Sequence, residues 1–262
     1  MDPRLLEAFA SVPRERYLGP GPWKMRTNKG GYANTPSDNP IYLYADQLFA
    51  IDPERGLNNG LPQFLAMVID AMALAPGDRV VHVGTGVGYY TAIMAELVGP
   101  AGRVVGYEID DGLARRSREN LKSYSQVECR AGSGVDIEER DLDALYINAG
   151  ATHPLPNWLD ALAPGGGLVL PLTGKGWGGV IMKFTRPPDP TDRTLRAAYL
   201  RTVGIYNCEG ARDPRAEKAL DRARAKGGVE EVRILRRDRH RRSESCWLHG
   251  LGWCLSLGRG PN

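Results

Sequence analysis

The sequence predicts an α/β fold in which a doubly wound, mainly parallel sheet is completed by an antiparallel hairpin and a small C-terminal α+β extension. Between about residues 79 and 172, short apolar runs alternate with helix-like patterns, as in consecutive βαβ units. The first apolar run leads into a turn with glycines at alternate positions. Beyond residue 174 the pattern changes to alternating strands, which indicates antiparallel pairing.

The apolar runs define the parallel strands, and the segments between them have helical spacing. We predict parallel strands at residues 80–83, 103–107, 127–130, 144–148 and 167–172. Helices are expected at residues 89–98, 112–124 and 155–162. Right-handed crossovers would place these helices on both faces of the sheet. The hairpin is predicted from strands 180–184 and 199–208, and the extension from a helix at 213–226 and strands at 232–237 and 245–256.

The chain is expected to have three parts. Residues 1–75 form an N-terminal cover of helices and a long loop, residues 76–210 form the domain with the parallel sheet, and residues 211–262 form the extension. The cover begins with Leu5, Leu6 and Phe9 at helical spacing. A loop of this length ahead of a core commonly covers a functional site.

Composition and charge limit the function classes. With 262 residues, 42% apolar positions and a formal net charge of +3, the chain is typical of a soluble globular protein, and neither nucleic acid nor a membrane is an expected partner. The basic run 236–242 is interpreted as a solvated turn, with docking of an acidic partner as the alternative. The N-terminus has no signal-peptide pattern, so we expect a cytoplasmic protein.

The cysteines are expected to be reduced and buried. No Cys-x-x-Cys pair is present, and the cysteines lie mostly within apolar runs. We therefore assign no metal ligands. A metal site at Cys246, His249 and Cys254 is the alternative interpretation.

The glycine turn predicts an adenosyl-binding site. Gly84, Gly86 and Gly88 follow a buried strand and precede a helix, so the backbone can turn sharply and approach a ligand closely. Glu108 ends the next strand, where its carboxylate can accept hydrogen bonds from both ribose hydroxyls. The turn lacks the third glycine at the spacing that dinucleotide enzymes use for a pyrophosphate. These features favour S-adenosylmethionine as the ligand. The alternatives are a nicotinamide cofactor and a turn whose glycines serve packing only.

The sequence resembles the class I methyltransferases and, among them, the protein-L-isoaspartate O-methyltransferase family. The resemblance lies in residues 12–15, 80–91, 143–171 and 210–213. It implies a Rossmann-like methyltransferase sheet, S-adenosylmethionine as the methyl donor, and carboxyl groups of damaged aspartyl residues as acceptors. The residues expected at the donor are His82, Gly84, Thr85, Gly86, Gly88, Tyr89, Glu108, Ile109, Gly132, Ser133 and Asn148.

Three positions depart from the family pattern. The family's Gly-Gln-Thr-Ile-Ser-x-Pro run corresponds to residues 56–62, where Gly60 replaces the hydroxyl residue that contacts the reacting carboxylate. His82 stands where the first strand usually carries an acid. Ser133 replaces the acid that faces the adenine.

The acceptor site is predicted at Asn58, Asn59 and Gly60. A carboxylate acceptor is ionised at neutral pH and needs no general base, so amide donors that orient it are sufficient. The alternative interpretation is that Asn-Asn-Gly is only a turn before a helix. Asn148 has two interpretations, as a contact to donor or acceptor and as the cap of a helix near Pro154. For His82 the alternatives are a packed histidine and a group that makes donor affinity depend on pH.

The leading hypothesis is an S-adenosylmethionine-dependent carboxyl O-methyltransferase that acts on aspartyl or isoaspartyl groups of a protein or peptide. A second hypothesis keeps the donor and changes the acceptor to a dedicated peptide precursor or a small metabolite, because a hydroxyl is missing at Gly60. A third is a non-catalytic protein that binds S-adenosylmethionine. The sequence does not indicate an oligomeric state.

Overall fold

The computed structural model describes residues 1–189, 191–192 and 194–258. These residues divide into two compact units. The first unit comprises residues 1–78 and 85–132, and the second comprises residues 79–84 and the chain from residue 133 onward.

The helices and strands alternate along most of the chain. The α-helices are α1 (Pro3–Ser11), α2 (Glu15–Leu18), α3 (Pro62–Asp70), α4 (Tyr89–Val98), α5 (Asp111–Leu121), α6 (Pro156–Asp160) and α7 (Pro214–Lys226). The first five strands are β1 (Lys24–Arg26), β2 (Tyr32–Asn34), β3 (Ala50–Asp52), β4 (Leu57–Asn58) and β5 (Arg79–Val83). The remaining strands are β6 (Arg103–Glu108), β7 (Val127–Ala131), β8 (Leu142–Ile147), β9 (Leu162–Thr173), β10 (Gly178–Thr185), β11 (Leu195–Gly204), β12 (Ile234–Arg236), β13 (Cys246–Gly250) and β14 (Trp253–Ser256). The predicted parallel strands and the helices between them are present, but β9 begins five residues before the predicted 167, and α5 ends three residues before the predicted 124.

In the first unit, β6 and β7 pair in parallel. In chain order, α4 follows β5 and α5 follows β6. Helix α4 is apolar on nearly all sides, and nearly all of its side chains are buried. Helix α5 is amphipathic and begins at Asp110, whose side chain accepts a hydrogen bond from the Leu113 N–H at 2.8 Å. The N-terminal cover contains α1 to α3 and two short antiparallel ladders, β1–β2 and β3–β4.

A single buried arginine organises the loop before α3. Arg14 is 1% exposed, and its guanidinium donates hydrogen bonds to four backbone carbonyls. These carbonyls belong to Leu43, Ala45, Gln47 and Gly60, at 2.9, 3.3, 3.0 and 3.0 Å. The guanidinium also lies over the Phe49 ring, 5.1 Å from its centroid. Arg14 therefore fixes the path of residues 43–60.

In the second unit, β5, β8 and β9 are parallel, and β9, β10 and β11 are antiparallel. This arrangement confirms the predicted hairpin, but its second strand begins and ends four residues earlier than the predicted 199–208. The register sets the start, because Arg196 pairs with Thr185. Residues 206–208 instead bond to Gly150, whose N–H donates to the Tyr206 carbonyl at 2.7 Å.

The C-terminal strands continue the same sheet of the second unit. Strand β12 pairs with β11 through Leu235 and Leu195, β14 pairs with β12, and β13 pairs with β14. The predicted strand 245–256 is therefore two strands. The chain reverses at Leu251 and Gly252, where Leu251 is 90% exposed and Gly252 has a φ of +79°.

Helix α7 is attached to the sheet of the second unit by the residues that precede it. The Asp213 side chain accepts a hydrogen bond from the Ala216 N–H at 2.6 Å and caps the helix. Arg212 donates to the carbonyls of Gly150, Thr173 and Gly174 at 3.1, 3.0 and 2.8 Å. Among the described residues, no helix has the length and apolar character needed to cross a membrane.

Candidate functional site

The turn between β5 and α4 requires its glycines. Gly84, Gly86 and Gly88 have φ values of +83°, +58° and +91°, in the region that L-residues with a Cβ rarely adopt. A Cβ at Gly88 would also lie 2.7 Å from Leu121 Cδ1 and 2.9 Å from Ser117 Oγ on α5. The turn is therefore fixed both by its backbone conformation and by the close approach of α5.

Glu108 stands at the end of β6 with its carboxylate fixed by the turn. Its Oε2 accepts a hydrogen bond from the Gly86 N–H at 2.7 Å, and its Oε1 accepts one from the Asp110 N–H at 3.1 Å. The residue is 7% exposed. Burial raises the pKa of the Glu108 carboxyl, while the backbone N–H groups of Asp110 and Gly86 oppose this shift. Each carboxylate oxygen keeps a lone pair that can accept a ribose hydroxyl.

Other predicted donor residues of the first unit lie at the end of β6. The Gly132 N–H donates to the Glu108 carbonyl at 2.8 Å, and the Thr85 N–H donates to the Tyr107 carbonyl at 3.3 Å. Thr85 Oγ1 is buried and has no hydrogen-bond partner among the described residues. Ile109 is 50% exposed, although its side chain is large and apolar. An exposed apolar side chain next to this carboxylate could pack against a nucleobase, so a donor role for Ile109 stays a prediction.

The side chain of Tyr89 points into an aromatic cluster. It is 3% exposed and packs edge-on against Tyr17 and Phe9, with ring centroids 5.4 and 6.2 Å away. Burial raises the pKa of the Tyr89 hydroxyl to about 12. Tyr89 is the first residue of α4, so its backbone follows the turn directly while its side chain packs beneath the N-terminal cover.

His82, in the second unit, is a packed histidine. It is fully buried and stacks on Tyr146 of the neighbouring strand, with centroids 5.2 Å apart and planes 5° from parallel. Burial lowers the pKa of His82 to about 3, so its imidazole is neutral at physiological pH. This burial favours the packing interpretation over a change of donor affinity near neutral pH.

The pH dependence of stability tests this environment. In the unfolded chain the imidazole has a pKa of about 6.5, so between pH 6.5 and 3 only the unfolded state binds the extra proton. Stability from His82 is complete above pH 6.5 and decreases by up to about 1.4 kcal/mol per pH unit as the pH falls through this range. We expect His82→Phe to remove this slope in urea titrations at pH 6, 5 and 4. Burial also lowers the pKa of the half-buried His153, by less than that of His82, so His153→Phe is the comparison and should reduce the slope less than His82→Phe. Equal slopes for wild type and His82→Phe would contradict the assignment.

Asn148 braces the ends of β5 and β8. Its N–H donates to the Val83 carbonyl at 2.8 Å, and its Nδ2 donates to the Gly84 carbonyl at 3.3 Å. Its Oδ1 accepts a hydrogen bond from the Tyr146 hydroxyl at 2.9 Å. The capping interpretation is wrong, because α6 begins only at Pro156 and has Leu155 at its N-cap. Ser133, also in the second unit, is exposed, and its Oγ accepts from the Val135 N–H at 3.3 Å. Donor roles for Asn148 and Ser133 stay predictions.

The three residues predicted at the acceptor site differ in what they can offer. Asn58 is engaged at both ends, since its Oδ1 accepts from the Tyr32 hydroxyl at 2.7 Å and its Nδ2 donates to the Gly56 carbonyl at 2.6 Å. Asn59 is 5% exposed, and its Nδ2 meets no acceptor in the described part of the chain. The backbone of Asn59 is fixed, because its N–H donates to the Phe49 carbonyl at 2.8 Å and its carbonyl accepts from the Tyr90 hydroxyl at 3.0 Å.

Gly60 cannot be replaced by serine without strain. Its φ is +62°, and a Cβ would lie 3.1 Å from Leu65 Cδ2 and 3.2 Å from Tyr90 Cε2. The backbone conformation at Gly60 therefore disfavours a hydroxyl residue at this position. Asn59 is the residue of the predicted trio with an uncommitted donor.

Two contacts that the sequence did not indicate place this loop beside the glycine turn within the first unit. Arg55, in the turn between β3 and β4, donates to Asp110 Oδ2 at 2.6 Å, two residues after Glu108. Ile51 Cδ1 lies 3.8 Å from the position of a Cβ on Gly86. Together with the hydrogen bonds of Arg14 to the Gln47 and Gly60 carbonyls, the contact of Arg55 positions the segment that carries Asn59. Their types gave no signal, because arginines are most often solvated.

Comparison with known proteins places this geometry in a family. Residues 1–194 match the family model described as protein-L-isoaspartate(D-aspartate) O-methyltransferase, abbreviated PCMT. The chain belongs to the PCMT family. A protein-L-isoaspartate O-methyltransferase of Methanothrix thermoacetophila is 31% identical over 208 residues, which cover 78% of this chain and 89% of the relative. The family match ends in the loop before β11, so it does not include the C-terminal strands.

Two solved structures share the fold of this PCMT family member. A protein-L-isoaspartate O-methyltransferase superposes with a TM-score of 0.67 at 22% identity, covering 86% of this chain and 65% of the other. A Plasmodium falciparum protein described as a protein-L-isoaspartate O-methyltransferase, in complex with S-adenosyl-L-homocysteine, gives a TM-score of 0.61 at 20% identity, with coverages of 79% and 91%. These likenesses confirm the predicted Rossmann-like methyltransferase fold.

Proposed function

We propose that the protein is an S-adenosylmethionine-dependent carboxyl O-methyltransferase that acts on isoaspartyl or aspartyl groups of a protein or peptide. The observation that carries the proposal is the Glu108 carboxylate, held 2.7 Å from the Gly86 N–H at the glycine turn of a PCMT family member. Family membership supports S-adenosylmethionine as the donor and a protein or peptide as the acceptor.

The first unit has groups that match the adenosyl part of the donor. Glu108 would accept the ribose hydroxyls, and the positive-φ glycines leave the turn free of side chains that would block a close ligand. Ile109 would cover the nucleobase, and Thr85 Oγ1 is a buried polar atom with no partner in the described chain. Bound S-adenosylmethionine supplies an electrophilic methyl group on a sulfonium sulfur.

The protein contributes position rather than proton transfer. The acceptor carboxylate is ionised at neutral pH, so its oxygen can form the new O–C bond while the S–C bond breaks and the electron pair stays on sulfur. The chain must align these atoms and exclude water. Asn59 Nδ2 would donate to the second carboxylate oxygen and so orient the first toward the methyl group.

Replacing Asn59 tests this role. We expect Asn59→Asp to lower kcat/KM at least about 100-fold, because it replaces an amide donor with a negative charge beside the acceptor carboxylate. Asn59→Ala should lower kcat/KM about 10- to 100-fold, and both variants should bind the donor normally. Asn58→Ala is the matched control, because it removes hydrogen bonds within the loop. It should lower the Tm and reduce kcat/KM less than Asn59→Ala does. Equal losses of kcat/KM at Asn58 and Asn59 would contradict the assignment.

The activity is tested with donor that carries a labelled methyl group. Incubation with an isoaspartyl peptide should give label that mild alkali releases as methanol, and the matched peptide with ordinary aspartate distinguishes the two acceptor forms. Label that survives alkali would exclude a carboxyl ester. Donor binding without any labelled product, on these peptides or in a cell extract, would favour a non-catalytic binding protein.

A second candidate acceptor is a dedicated peptide precursor or a small metabolite. It is favoured by the backbone at Gly60, which excludes the family's hydroxyl residue, and by the strands β12 to β14 beyond the family match. Label that forms only with a cell extract, and not with isoaspartyl or aspartyl peptides, would support this candidate.

A further inference from the structure

Four side chains that can bind a metal meet on the C-terminal strands of the second unit. They are His240, Cys246, His249 and Cys254, and one ligand atom of each lies within 4.8 Å of the others. His240 lies in the segment before β13, Cys246 and His249 lie on β13, and Cys254 lies on β14. Both cysteines are buried and free.

The strand register explains how these side chains reach one face. His249 pairs directly with Cys254 across the β13–β14 ladder. Cys246 precedes His249 by three residues, so in a regular strand the two side chains would point to opposite faces. The register shifts between Cys246 and Leu248, and this extra residue on β13 returns Cys246 to the face of His249. The bulge therefore turns the Cys246 side chain toward the other ligands, as expected of a specific binding site.

One pair of ligand atoms already has the separation that a tetrahedral ion requires, and all four lie within 4.8 Å of one another. Zinc bonds of ~2.0–2.3 Å to nitrogen and sulfur give ligand separations of about 3.3–3.8 Å. Cys246 Sγ and His240 Nε2 lie 3.4 Å apart, and the two imidazole centroids lie 4.8 Å apart with planes at 80°. Nδ1 of His249 is buried and has no hydrogen-bond partner among the described residues.

Groups behind the ligands have the arrangement found around protein-bound zinc. His240 presents Nε2 to the cluster, while its Nδ1 lies 3.2 Å from Asp238 Oδ1. The contact does not have hydrogen-bond geometry here, but rotation of the ring would let Nδ1–H donate to the carboxylate, as commonly seen for metal-bound imidazoles. The Ser243 N–H donates to Cys246 Sγ at 3.4 Å, and a hydrogen bond to sulfur favours the thiolate.

We propose that His240, Cys246, His249 and Cys254 form a structural Zn²⁺ site. Two thiolates balance the charge of the ion, and mixed sulfur and imidazole ligands in tetrahedral geometry favour zinc over the oxygen-preferring Mg²⁺ and Ca²⁺. Four protein ligands leave no open coordination position, so the ion is structural rather than catalytic. It ties the segment 237–245 to the β13–β14 hairpin. The sequence alternative of Cys246, His249 and Cys254 lacked its fourth ligand, because His240 lies within the basic run.

Metal content and the spectrum of a substituted metal test this site. We expect the protein, purified from zinc-supplemented cells without chelator, to contain about one zinc per chain. Replacement by Co²⁺ should give the thiolate charge-transfer and d–d bands of tetrahedral coordination. Cys246→Ser and His249→Asn should lower zinc content at least about tenfold. The control Cys129→Ser changes a half-buried thiol on β7 of the first unit and should keep full zinc content.

Removal of the ion gives a test that needs no variant. A strong chelator should lower the Tm of the wild-type protein, and added Zn²⁺ should restore it. Wild-type protein that takes up no zinc on incubation, or gives an octahedral Co²⁺ spectrum, would overturn the proposal. A Cys246–Cys254 disulfide in protein purified under reducing conditions would also overturn it. Zinc that is retained by the folded double variant Cys246→Ser, Cys254→Ser would show that any bound ion lies elsewhere.

Discussion

Glu108→Gln is expected to raise the Kd for S-adenosylmethionine about 10- to 100-fold. The carboxylate can accept both ribose hydroxyls, whereas an amide has one acceptor oxygen, and a hydrogen bond to a charged group contributes about 1.5–3 kcal/mol. The amide NH₂ would also face either the Gly86 N–H or the Asp110 N–H, each of which now donates to a carboxylate oxygen. Isothermal titration calorimetry with S-adenosylmethionine and S-adenosylhomocysteine measures this change.

The matched control for this prediction is Glu119→Gln on α5. Glu119 is exposed and its carboxylate contacts Lys122, so the same chemical change is made away from the glycine turn. We expect its Kd to equal that of the wild type. If Glu108→Gln binds the donor as tightly as Glu119→Gln, then Glu108 does not bind the ribose and the donor site lies elsewhere.

Arg14→Met is expected to lower the free energy of unfolding by about 3–5 kcal/mol, because removing a buried charged partner leaves its hydrogen-bonding groups buried and unsatisfied. The carbonyls of Leu43, Ala45, Gln47 and Gly60 all accept hydrogen bonds from this guanidinium. Methionine has a similar length and keeps most of the apolar volume, so the effect reports on the lost donors. Urea unfolding followed by circular dichroism measures it.

Arg16→Met provides the comparison, because Arg16 is exposed and lies two residues away on α2. We expect it to change stability by less than about 0.5 kcal/mol. Methyl transfer should also fall in Arg14→Met at temperatures where the protein remains folded, since the guanidinium holds the loop that carries Asn59. Equal stabilities of the two variants would contradict the role of Arg14.

Features with a strong local pattern could be predicted from the sequence. The glycine turn and Glu108 were predictable because a sharp turn after a buried strand needs positive φ, and few residues other than glycine provide it. Helix α4 has the predicted bounds, since its apolar residues end at Gly99. The parallel strands were similarly evident from their apolar runs.

Features that depend on tertiary contacts could not be predicted. A sequence pattern does not show that Arg14 is buried among carbonyls or that Tyr89 packs against Phe9 and Tyr17. The choice between Asn58 and Asn59 required the hydrogen bonds of Tyr32 and Gly56, which engage only Asn58. The end of β11 was misplaced because its last predicted residues bond to Gly150 instead of continuing the hairpin.

The order of the added strands determines where local opening of the second unit would begin. Strand β12 hydrogen-bonds to β11, so the C-terminal strands extend the sheet of the second unit. Strand β13 lies at the edge of the sheet on this side. Unzipping of a sheet starts at its outermost strand, because that strand has a neighbour on one side only. His249 and Cys246 lie on this strand and contact the segment that precedes it. An ion bound there would act at the point of fraying, so its loss should accelerate amide exchange in β13 and β14 before it affects β9 and β10.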